Sequence, residues 1–80
     1  MRILVVDDEA VAAATIRRIL KYRGYRRITV CSNGREAVEQ IQKTDFDVVL
    51  LDILMPEMDG LQVLEETKPI RPLTEFIMIT

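Results

Sequence analysis

The stretch Val48-Val49-Leu50-Leu51-Asp52-Ile53-Leu54-Met55-Pro56-Glu57-Met58-Asp59-Gly60 decides how the rest of this sequence is read. Its four leading apolar residues form a short continuous run, as expected for a strand covered on both faces rather than one that alternates toward solvent. Asp52 ends the run, and a loop containing Pro56 and Gly60 follows at once. A single carboxylate at the carboxyl end of a buried strand, opening onto a loop, is where an open α/β sheet places its chemistry. Near the start, Ile3-Leu4-Val5-Val6 runs into Asp7-Asp8-Glu9 in the same way. Two strands therefore deliver acids to one edge of one sheet.

Along the rest of the chain, apolar runs alternate with helix-period segments. From about Ala10 to Arg23, the spacing predicts a helix with Ala12, Ile16, Ile19 and Leu20 on its covered side. Arg17, Arg18 and Lys21 fall elsewhere, and Gly24 follows as a C-terminal cap. Ile28 to Cys31 reads as a second strand. Asn33 and Glu36 have the spacing of a capping box, ahead of a helix face of Ala37, Val38 and Ile41. Asp59 is expected to cap a third helix bearing Leu61, Val63 and Leu64, which Pro69 ends. Pro72 keeps the next residues in a loop, and Phe76 to Ile79 predicts a fourth strand. The order βαβαβαβ implies a parallel sheet with right-handed crossovers and no second domain.

Composition narrows the function classes. Eighty residues make one small domain, which buries roughly 60 to 70% of its unfolded surface. With 49% apolar and 30% charged residues it is ordinary globular material. A net charge of −2 gives no reason to expect nucleic acid or an anionic membrane as the main partner. The run Arg17, Arg18, Lys21, Arg23, Arg26, Arg27 reads as a solvated helix face and its exit loop. No apolar run approaches the roughly 20 residues of a membrane span, and no signal-peptide pattern opens the chain. The single Cys31 excludes an internal disulfide, is expected to be a buried inert thiol, and fits a reducing cytoplasm.

If the first and third strands are neighbours, Asp7, Asp8 and Asp52 converge. Like unit charges 4 Å apart repel by roughly 4 kcal/mol at an effective dielectric of 20. Either a proton or a divalent cation relieves that, and hard oxygen donors suit Mg²⁺ or Mn²⁺. A carboxylate held beside such an ion is a competent nucleophile for phosphoryl transfer. Thr80, closing the fourth strand, is placed to offer a hydroxyl to the phosphoryl oxygens. Capping of the first helix is the competing role for Asp8. Met55 and Met58 are expected to pack, since soft thioethers do not suit a hard ion, and Glu57 to sit solvated at the rim.

Asp7-Asp8, the segment Leu51-Asp52-Ile53-Leu54-Met55-Pro56-Glu57-Met58-Asp59-Gly60 and a strand ending in Thr80 together resemble the receiver domain of two-component response regulators. The resemblance runs the length of the chain in the right order. It implies a flavodoxin-like α/β fold of the family whose sheet order is 2-1-3-4-5. It implies Asp52 as phosphoacceptor, and Mg²⁺ (Mn²⁺ as a substitute) held by Asp7, Asp8, Asp52 and the Leu54 backbone carbonyl. Thr80 is implied as the hydroxyl that contacts the phosphoryl group and moves on switching, and Pro56 and Gly60 as shapers of the loop. The implied donor partner is a histidine kinase or phosphotransfer protein, in the cytoplasm, with no nucleic acid or membrane bound by this domain.

Receivers of this family continue through a further strand carrying a lysine. Against that pattern, residues 1–80 are expected to form a partial receiver domain, lacking the last strand and final helices. Lys43 and Lys68 lie in or after helices and do not replace that lysine. The apolar fourth strand is expected to be a sheet edge through which two chains form a homodimer. Two other readings compete: an inactive or engineered receiver fragment acting as a structural module, and a phosphatase with an aspartyl nucleophile. The best-known enzymes of the latter kind carry a second acid two residues after the nucleophile, where this chain has Leu54.

Overall fold

The computed structural model describes residues 1–79. Seven elements follow in order: β1 (Arg2–Val6), α1 (Ala10–Tyr22), β2 (Arg27–Cys31), α2 (Gly34–Lys43), β3 (Val48–Asp52), α3 (Gly60–Thr67) and β4 (Glu75–Ile79). The strands make one parallel sheet in the order β2-β1-β3-β4. β1 and β3, the two strands that end in acids, are hydrogen-bonded neighbours, with Val6 level with Leu51. The flavodoxin-like reading of the sequence is thus the observed fold, and the element boundaries move by only a residue or two.

Side chains alternate across the sheet and divide the core in two. Leu4, Val6, Val49 and Leu51 point to one face, where Ala37 and Ile41 of α2 and Val63 of α3 close over them with Phe46 and Met55. Ile3 and Val5 point to the other face, against Ala13, Ile16 and Leu20 of α1. Ile19 corrects the sequence reading: it is 57% exposed, and Ala13 takes the core position in its place. A single helix lies against this face among the described residues, so only a narrow stripe of α1 is covered, and Ile19 falls at its margin. Leu61 is likewise exposed on α3, while Val63 is fully buried.

Local chemistry fixes the helix ends. Gly24 adopts φ +96°. Its N–H donates to the Lys21 carbonyl and that of Tyr25 to the Leu20 carbonyl. This is a Schellman closure, which needs the left-handed conformation that glycine adopts without strain. Asn33 accepts the Glu36 N–H at 2.9 Å, while the Glu36 carboxylate reaches back to the Ser32 N–H and hydroxyl. Asp59 and Gln62 form a full capping box at the start of α3. At the other end of α2, the Arg71 guanidinium donates to the carbonyls of Ile41 and Gln42. Two buried hydroxyls, Thr67 and Thr74, donate to the carbonyls of Val63 and Phe46.

Among the described residues β4 lies at one edge of the sheet, beside β3. On the α1 side Val48, Leu50 and Ile79 are half-buried and Ile77 is 49% exposed. No helix among the described residues is long and apolar enough to cross a membrane.

Candidate functional site

The parallel pairing of β1 with β3 brings their carboxyl ends level, and both ends are acidic. The Asp7 N–H extends the ladder onto the Cys31 carbonyl of β2, and the Ile53 N–H onto the Ile79 carbonyl of β4. Neighbouring strands on both sides therefore hold the backbone on which the acids sit. One carboxylate oxygen from each of Asp7, Asp8 and Asp52 lies within 4.8 Å of the others. Asp7 is 8% exposed, Asp52 half-buried and Asp8 open to solvent.

Two of the three carboxylates are anchored by local turns. Oδ1 of Asp7 accepts the Glu9 N–H at 2.9 Å, and Oδ1 of Asp52 accepts the Leu54 N–H at 3.0 Å. Both follow the habit of aspartate of bonding the amide two residues on. The pKa of Asp52 is raised, first by burial and then by the negative charges of Asp7 and Asp8, against the opposing pull of the Leu54 N–H. An oxygen-only donor set whose members repel one another in this way fits a hard divalent cation. Asp7, Asp8 and Asp52 are the side chains that would hold it.

The capping role that competed for Asp8 is absent. Glu9 occupies the N-cap position of α1, and its side chain makes no capping hydrogen bond. Asp59, by contrast, caps α3 as read from the sequence. Thr80 lies outside the described residues. Lys68 is engaged elsewhere: its Nζ donates to the Thr74 carbonyl at 2.7 Å and lies over the Phe76 ring. Cys31 is buried, and burial with the nearby Glu36 charge pushes its thiol up to about 11.

The loop after Asp52 is tightly turned. The Ile53 carbonyl accepts the N–H groups of both Met55 and Gly60. A Cβ at Gly60 would lie 2.5 Å from the Asp52 carbonyl oxygen, so only glycine permits α3 to begin against the end of β3. Glu57 has φ +67°, a conformation uncommon for residues other than glycine and found mostly with the short side chains of asparagine and aspartate. Leu54 is 75% exposed, whereas Met55 is buried and Met58 packs on the core.

The sequence profile of the response regulator receiver domain matches residues 3–80. The chain is 44% identical over 80 residues to a protein-glutamate methylesterase/protein-glutamine glutaminase of Archaeoglobus fulgidus, covering all of this chain and 23% of that protein. It is 42% identical over 77 residues to the chemotaxis protein CheY of Bacillus subtilis, covering 96% of this chain and 64% of that one. The chain thus spans less than two thirds of either relative. Among solved structures, the receiver domain of the histidine kinase CKI1 from Arabidopsis thaliana, complexed with Mg²⁺, superposes with a TM-score of 0.92 at 26% identity, covering 99% of this chain and 66% of that one.

Proposed function

The chain belongs to the response regulator receiver domain family, and on that premise we propose that it accepts a phosphoryl group on Asp52 from a histidine kinase or phosphotransfer protein. One observation carries the reading: carboxylates from the ends of two adjacent strands share a space of 4.8 Å. Oδ1 of Asp52 is occupied by the Leu54 amide, which leaves Oδ2 as the attacking atom. The new Oδ2–P bond forms as the P–N bond of a donor phosphohistidine breaks, and the leaving imidazole retains the electron pair and takes up a proton. Asp7 and Asp8, with Asp52 and the Leu54 carbonyl, are the groups proposed to hold Mg²⁺, for which Mn²⁺ would substitute. When bound, the ion offsets negative charge on the phosphoryl oxygens. The Thr80 hydroxyl is proposed to contact one of those oxygens.

Phosphorylation adds roughly −1.5 to −2 of charge, which would bias the loops around Asp52 toward a downstream partner. A buried lone thiol suits a cytoplasmic setting. The test is direct. With Mg²⁺ and acetyl phosphate, intact mass should show one added phosphoryl group, absent in Asp52→Asn. Steady release of phosphate over many turnovers would favour the phosphatase reading, and no adduct at all would favour an inactive module.

A homodimer through the outer edge of β4 is part of the same proposal. The half-exposed Ile77 and the apolar β4, whose outer edge meets no further strand among the described residues, support it, because such an edge templates pairing with another chain. Sedimentation should find a dimer at micromolar concentration that Ile77→Lys dissociates. A monomeric parent would refute it.

A further inference from the structure

We propose that Gly34 is a positioning residue for the acceptor site, holding the turn at Glu57 and hence the loop that follows Asp52. Gly34 begins α2, and a Cβ there would lie 2.6 Å from the Met58 carbonyl oxygen and 2.8 and 2.9 Å from its Cγ and Cβ. The start of α2 therefore presses on the main chain of a loop from another part of the sequence. That loop is strained at this point. The Met58 N–H donates to the Pro56 carbonyl at 2.8 Å with Glu57 at φ +67°. A three-residue turn with positive φ at its centre is the rare and strained form. Such a conformation persists only where its surroundings over-determine it.

The surroundings are specific. On the α3 side, the Asp59–Gln62 capping box and the approach of Gly60 to the Asp52 carbonyl fix the end of the loop. On the other side stands Gly34, itself held by the Asn33 cap and by the Glu36 carboxylate bonded to Ser32. The turn between β2 and α2 thus touches both halves of the site. Cys31 supports Asp7 through its carbonyl, and Gly34 supports the loop bearing Leu54, whose amide fixes Asp52. A side chain at position 34 would displace Met58 and leave the Leu54 amide and carbonyl less well placed.

This inference rests on the metal-assisted reading of the acidic cluster, and its experiment separates the two. Amide NMR spectra of metal-free protein and electron paramagnetic resonance titration with Mn²⁺ would be recorded for the parent, Gly34→Ala, Met58→Ala and the exposed control Glu39→Ala. Gly34→Ala should keep its helical circular dichroism, shift the amides of Leu54, Glu57 and Met58, and weaken Mn²⁺ binding about tenfold, the size typical of losing a support behind a ligand. Met58→Ala, which opens the contact without a clash, should weaken binding in the same direction but less, and Glu39→Ala should leave it unchanged. Folded Gly34→Ala and Met58→Ala proteins that bind Mn²⁺ as tightly as the parent would overturn the role of Gly34 alone. If Gly34→Ala does not fold, Met58→Ala decides by the same criterion. A parent that binds no Mn²⁺ would overturn the metal reading, and this inference with it.

Discussion

Oδ1 of Asp52 accepts the main-chain N–H of Leu54 across 3.0 Å, so this carboxylate is oriented by the first turn of its own loop. Burial and the charges of Asp7 and Asp8 nevertheless raise its pKa above the ordinary 3.8. A raised acid binds its proton more tightly folded than unfolded, so between pH 3.8 and the folded value the native state carries more protons. Stability of the metal-free protein should therefore increase as pH falls from neutral through that window. Asp52→Asn should raise the metal-free melting temperature at pH 7 and flatten this part of the profile. Thermal melts across pH 3.5 to 7 on the order of half-unit steps check both.

Mg²⁺ should reverse the penalty. At a hundred times its dissociation constant a ligand specific for the folded state stabilises by about 2.7 kcal/mol, which is a rise on the order of 10 °C or more in a domain of this size. Asp7→Asn or Asp52→Asn should abolish most of the increment. Differential scanning calorimetry with and without Mg²⁺ measures it, and an equal increment in all three proteins would show that the ion binds elsewhere.

The two cores differ in what truncation costs. Ile41 and Leu51 are fully buried between the sheet and α2, so Ile41→Ala or Leu51→Ala should cost about 2–5 kcal/mol in urea titrations. Ile77→Ala, on the open side of β4, should stay within about 0.5 kcal/mol in the monomer. Equal costs at both places would contradict the division of the sheet into a well-covered and a sparsely covered face.

Much of this architecture was legible in the sequence because it depends on local patterns. Continuous apolar runs marked β1 and β3, and a terminal aspartate on each placed Asp7, Asp8 and Asp52 together once the strands paired. Asn33, Asp59 and Gly24 announced helix ends through their own side-chain or backbone chemistry. What stayed hidden depends on contacts between distant segments. Arg71 closes α2 from 30 residues away, and no spacing rule reaches that far. Nothing local in the sequence marks Gly34, because its requirement arises from Met58. Glu57 gave no sign of positive φ, since glutamate is not a residue type that favours it. Ile19 fits the helical period of its neighbours, and only the narrowness of the covered stripe leaves it exposed.

Cys31 offers an independent check on the covered face. Its thiol is buried and pushed up to about 11, so almost no thiolate exists at pH 8. Iodoacetamide should modify the native protein very slowly and the urea-unfolded chain readily, as followed by intact mass. Because the folded pKa lies above the ordinary 9.0, this group also lowers stability as pH rises from 9.0 toward 11.

Helix caps supply a second, smaller scale. Asn33→Ala removes the acceptor for the Glu36 amide and should cost about 1 kcal/mol, read as a shifted urea midpoint at unchanged slope.

On the proposed function, the carboxylates at the ends of β1 and β3 form one cation pocket around Asp52. Paramagnetic broadening by substoichiometric Mn²⁺ in the amide spectrum measures whether they do. Signals of residues 7–9 and 52–54 should broaden together, with a single titration curve, and Asp52→Asn should weaken the effect. Broadening scattered over the acidic surface, or confined to one of the two segments, would contradict it.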